Sequence, residues 1–154
     1  MAAVEGVPAA RVATLGAALR DTWGVRLTTA GDTVRGTGRD AGSGVRFAVR
    51  GRTRGTAVQG YACTTAPAVG RFAPPRNFAE GEPDPAVLAA METAVGFLQT
   101  CADSSAADPD RATVWVRAVA QQALAGTPAE RRIGGVRFRL ERSGDGLRLV
   151  VGSP

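Results

Sequence analysis

The sequence predicts an α+β domain, a mostly antiparallel sheet of about five to six strands with three helices gathered on one face. Three observations predict it. Residues 45–50 and 136–141 alternate apolar and polar side chains with a period of two, and each run is followed by a turn and another strand-like stretch. Three further stretches repeat apolar residues at spacings of three and four, as amphipathic helices do. The 154 residues have the length of one domain, 1–154, and no apolar run approaches the roughly eighteen residues that a membrane-spanning helix needs.

The first helix runs from Arg11 to Trp23, with Val12, Leu15, Leu19 and Trp23 as its stripe and Gly24 as its stop. Val25–Thr29 and Thr33–Thr37 flank an Ala-Gly-Asp turn and predict a short hairpin, after which Gly36, Gly38, Gly42 and Gly44 predict a loop. Val45, Phe47 and Val49 then share one face of a strand, with Arg46, Ala48 and Arg50 on the other. Its hairpin tip is expected at Gly51–Gly55, and the return strand at Thr56 to Cys63. Five prolines between residues 67 and 85 predict a surface connection joining two halves.

Asp84-Pro85 reads as a helix cap followed by proline, opening a second helix with the stripe Val87, Leu88, Met91, Val95 and Leu98 and with Cys101 at its end. Asp108-Pro109 repeats the device for a third helix, which carries Val114, Trp115, Ala118, Val119 and Gln122 and stops at Gly126. Val136, Phe138 and Leu140 alternate with Arg137, Arg139 and Glu141, and Ser143-Gly144-Asp145-Gly146 turns into a last strand at 147–151. Residues 44–49 (GVRFAV) and 135–140 (GVRFRL) match closely, so the chain reads as a weak internal duplication of a helix-then-hairpin unit.

The composition excludes much chemistry. There is no histidine, so triads and metal sites that need imidazole are ruled out, and all 19 basic residues are arginine, which removes lysine Schiff bases and a phosphate-loop lysine. The carboxylates Glu80, Glu82 and Asp84 read as solvated loop charge. No cofactor and no metal is expected, and the chain is read as a non-enzyme.

Charge is distributed unevenly along the chain: nine arginines against four acids in residues 1–60, two against seven in 61–110, and eight against three in 111–154. Arg46, Arg50, Arg52 and Arg54 on the first long hairpin, with Arg137 and Arg139 on the second, form one guanidinium face if both hairpins lie in one sheet. Guanidinium groups suit planar, bidentate contact with carboxylate or phosphate. The same alternation is also what a solvated sheet face shows in a protein whose only cation is arginine.

Cys63 and Cys101 are the only cysteines, too few for a zinc site without imidazole. They are either bridged in an oxidising compartment or two small buried residues in a cytoplasmic protein. The disulfide is the expectation for an extracytoplasmic protein, since Cys63 ends a strand and Cys101 ends the helix expected to pack across it.

The segment Gly60-Tyr61-Ala62-Cys63, the Trp115 helix and the closing strand Gly134-Gly135-Val136-Arg137-Phe138 resemble small extracytoplasmic or lipoprotein-type domains of GC-rich actinobacteria, over about residues 55–152. The resemblance implies a secreted or envelope setting and no chemistry; the first residues show no signal peptide, and the alternative setting is cytoplasmic. The functional expectation is a binding module for a protein or acidic ligand, and the alternative is a domain that binds nucleic acid or another anionic polymer through the arginine face.

Overall fold

The computed structural model describes residues 12–67, 85–104 and 108–152. In chain order the elements are α1 (Val12–Trp23), β1 (Thr28–Ala30), β2 (Thr33–Arg39), β3 (Arg46–Arg54), β4 (Ala57–Ala66), α2 (Pro85–Asp103), α3 (Pro109–Leu124), β5 (Ala129–Ile133), β6 (Val136–Ser143) and β7 (Gly146–Gly152). The strands form one sheet in the order β1-β2-β3-β4-β7-β6-β5, and every neighbouring pair is antiparallel. The architecture is α+β, as expected, with seven strands in place of five to six.

The additional strand is β5. Its sequence, Ala-Glu-Arg-Arg-Ile, buries only its two ends, so no alternation betrays it. Two glycines also move from loop to strand. Gly36 and Gly38 lie inside β2 because the segment from Val25 to Leu27 crosses directly over them: a β-carbon on Gly36 would sit 2.6 Å from the Arg26 carbonyl oxygen, and one on Gly38 would sit 2.6 Å from the Val25 side chain. Val25 is consequently a core residue outside any strand, and the first hairpin is confined to Thr28–Arg39. The β3–β4 tip is likewise shorter than expected, since Gly51 and Thr53 continue the inward-facing row and only Gly55 and Thr56 turn. Residues 68–84 of the proline-rich connection, and with them the Asp84 cap, lie outside the described residues.

One face of the sheet is covered by the helices. Phe47 of β3 stacks on Phe97 of α2 with ring centroids 4.2 Å apart, and Trp23 of α1 meets both rings edge-on. The Trp23 indole N–H donates to the Thr100 hydroxyl at 2.9 Å, which keeps its polar end satisfied in this setting. On the other side of the core Trp115 of α3 packs on Phe138 of β6. Asp108 caps α3 as expected, its carboxylate accepting from the Arg111 N–H, with proline in the first turn. By length and composition α2 could cross a bilayer, but Ala94, Phe97, Leu98 and Cys101 form a stripe that packs on the sheet, and a core helix has the same composition.

The sheet has a visible symmetry of parts. β2, β3 and β4 on one side of the seam between β4 and β7 are matched by β5, β6 and β7 on the other. Gly44 and Gly135 both adopt positive φ (73° and 81°), and each introduces an inward Val, an outward Arg and an inward Phe.

Candidate functional site

The face of the sheet turned away from the helices carries the arginines. Along β3 burial alternates without a break, so Arg46, Arg50, Arg52 and Arg54 all project outward, and Arg137 and Arg139 do so from β6. The two hairpins are parts of one sheet, but β4 and β7 lie between β3 and β6. The six arginines therefore do not form one uniform patch.

The two flanks differ in their pairing. On β2 and β3 the register sets Arg35 directly opposite Arg50 and Arg39 directly opposite Arg46, and like charges in that position repel. None of Arg35, Arg39, Arg46, Arg50, Arg52 and Arg54 is in an ion pair among the described residues. On the other flank Arg132 likewise stands opposite Arg137, but Glu130 stands opposite Arg139 and Glu141 opposite Arg148. Glu130 pairs with Arg137 and also reaches Arg139 at 3.5 Å, while Glu141 holds Arg139 at 2.9 Å and approaches Arg148 at 3.7 Å. The hydrogen bond from Arg137 lowers the Glu130 carboxyl below its ordinary range, and that to Glu141 raises the Arg139 guanidinium.

Between the flanks the outward residues are small: Ala48 on β3 and Ala62 and Thr64 on β4. They floor an open trough of about 650 Å³, lined by Arg50 and Arg52 from one wall, Arg148 from the other, and the hydroxyls of Thr33, Thr64 and Ser143. A second depression of about 610 Å³ beside Arg39 and Arg46 shares Ala48 and Thr64 with the first, so the two are contiguous. Every aromatic ring in the described residues lies on the opposite, helix-covered side or in the helices themselves.

The expected disulfide is corrected. Cys63 on β4 and Cys101 on α2 do meet in the core, but as thiols. Both are fully buried, and the Tyr61 hydroxyl donates to the Cys101 carbonyl at 2.5 Å across the same contact. Burial pushes the Cys63 thiol and the Tyr61 hydroxyl well up, and their proximity to Cys101 adds to it. Disulfide exchange proceeds through a thiolate, and burial disfavours that form at Cys63.

What the sequence missed is the pair Arg35 and Arg39 on β2 and the neutralising role of Glu130 and Glu141. Arg35 lies in the expected Thr33–Thr37 strand without being singled out, and Arg39 falls in the stretch whose glycines suggest a loop. The neutralising role depends on β5, whose own pattern is silent. No protein-family profile matches the chain, and no significant match exists among curated proteins or solved structures.

Proposed function

We propose that the chain is a non-enzymatic binding module that takes an acidic ligand, or an acidic protein surface, on the β2–β3 flank of its open sheet face. One observation carries this reading: outward arginines stand opposite one another, Arg35 with Arg50 and Arg39 with Arg46, without a carboxylate partner among the described residues. A sheet face serving only to be solvated gains by placing carboxylates among such rows, as Glu130 and Glu141 stand on the other flank, where Arg137 faces Arg132 but is held by Glu130. An anionic ligand supplies the missing partner.

A non-enzymatic role is supported by the state of the reactive groups. Tyr61 and Cys63 are sealed in the core with their acidities suppressed, and Glu130 is held ionised by Arg137. The nucleic-acid alternative is weaker because, among the described residues, no ring projects from the open face for a base to stack on. An envelope setting remains part of the proposal and rests on the resemblance of residues 60–63, Trp115 and 134–138; the matching flanks are read as a duplicated helix-then-hairpin unit.

The test is retention on an anionic support across a salt gradient. The protein is expected to bind and to elute earlier when Arg46 and Arg50 are both changed to alanine, while Arg137→Ala leaves elution nearly unchanged because Glu130 already occupies that side chain. A shift for Arg137→Ala about half that of the double variant would defeat the reading, since removal of charge alone then accounts for both.

A further inference from the structure

We infer that the ligand of this face is a linear polyphosphate chain, laid diagonally across the strands in the trough between Arg50, Arg52 and Arg148. The inference rests on the binding role proposed above and specifies its chemistry. The trough is lined from β2, β3, β4, β7 and β6, five neighbouring strands, so it crosses four inter-strand gaps, or roughly 19 Å at about 4.8 Å each. Such a length suits an extended chain and exceeds what a single carboxylate or phosphate fills.

The lining selects among extended anions by its hydrogen-bonding character. Guanidinium groups only donate, and Arg50, Arg52 and Arg148 are joined by the hydroxyls of Thr33, Thr64 and Ser143. A polyphosphate chain consists of acceptors, so every group that it brings finds a donor. An acidic peptide also brings backbone N–H groups, and on a sheet face, as opposed to an edge, the strands' own carbonyls are already paired with neighbouring strands. A single-stranded nucleic acid would bring bases, for which the floor of Ala48 and Ala62 offers no stacking surface.

The positions of the arginines fit a repeated charge. Arg50 and Arg52 point the same way two residues apart, about 6.7 Å along β3. Arg148 stands across β4 from them, in the cross-strand row of Ala48 and Thr64. Its contact with Glu141 is long, at 3.7 Å, whereas Glu141 is held closely by Arg139, so Arg148 can turn into the trough without leaving a carboxylate unpaired. Successive phosphates can then be gripped from alternate walls.

Isothermal titration at about 0.15 M salt decides the matter, with three probes matched in total charge: a linear polyphosphate, poly-glutamate and oligothymidylate. Polyphosphate is expected to bind most tightly, with the joint change of Arg50→Ala and Arg148→Ala weakening it by about tenfold or more and Arg137→Ala leaving it unaltered. Thermal melting of each variant shows that the fold is kept, as exposed positions allow. Tighter binding of poly-glutamate, sensitive to Arg46 and Arg50, overturns the phosphate assignment and leaves the acidic-ligand reading standing. Tighter binding of oligothymidylate overturns it in favour of base recognition. If none of the three binds, both the assignment and the binding role fall together.

Discussion

The β2–β3 flank and the β5–β7 flank of the sheet are built alike on the inside and unlike on the outside. Inward, Val45, Phe47 and Val49 correspond to Val136, Phe138 and Leu140, all buried against helices. Outward, the β2–β3 flank opposes arginine to arginine at two places with no carboxylate in the same rows, while the other opposes arginine to arginine once, Arg132 to Arg137, and glutamate to arginine at two places. Because the backbone and core are so similar, the charge contrast does not follow from the fold's needs. It belongs to the solvent side, the side on which we propose that a ligand binds.

The join between the flanks offers the largest perturbation. Gly146 opens β7, and a β-carbon there would fall inside the contact distance of the Thr65 carbonyl on β4, so Gly146→Ala must spread the central strand pair. The neighbouring Thr65 hydroxyl, which donates to the Leu147 carbonyl at 3.3 Å in a fully buried position, loses its geometry at the same time. A cost of about 3 kcal/mol is expected, because the obstacle is backbone and cannot swing away. Chemical denaturation measures it; a loss under about 1 kcal/mol would show that the two flanks are not held together through this close approach.

Acid should affect the flanks differently. The folded-state pKa of Glu130 lies below its ordinary value of 4.5, chiefly through the hydrogen bond from Arg137, so its pairing stabilises the fold fully above that pH and ceases to do so as pH falls through the lowered value. Stability should thus decline below about pH 4.5 with a component that Glu130→Gln abolishes. Asp40 and Glu92 contribute in the same direction through Ser43 and Arg117, and the comparison with the variant subtracts them. The Glu130→Gln variant should also bind anions better at neutral pH, since Arg137 is then released. A variant with an unchanged acid profile would mean that the pair is only a solvated contact.

Much of the fold was legible because apolar periodicity was strong where the core demanded it. Leu15 and Leu19, Phe47 and Val49, and Phe138 and Leu140 all lie where their spacing places them. The signal failed where small or charged residues occupy the regular positions. Gly36, Gly38 and Gly51 face inward because backbone or side chains press against them, and a glycine's inward orientation leaves no apolar mark in the sequence. β5 buries only Ala129 and Ile133. For the site, outward projection of Arg46, Arg50, Arg137 and Arg139 followed from strand parity, Arg52 and Arg54 were expected in the hairpin tip and instead continue β3, and the division into paired and unpaired sets depends on which strands are neighbours. Parity is local, and neighbourhood is not.

The smallest effect is the most specific. If the arginine rows on β2 and β3 are retained for a ligand, they should cost stability in its absence, and reversing one charge should return some of it. Arg35→Glu places a carboxylate directly opposite Arg50, reproducing on this flank the arrangement that Glu130 and Arg139 have on the other. The exchange turns a repulsive pair into an attractive one at an exposed site, for which a gain of about 0.5 kcal/mol is expected at low salt, shrinking as salt is added. Anion binding should weaken in the same variant, because Arg50 now has an internal partner. Stability and binding would then move in opposite directions through a single side chain, which a purely structural role for the row does not predict. A variant that loses binding and stability together would show instead that Arg35 supports the fold, and that the unpaired appearance of this flank is incidental to its function.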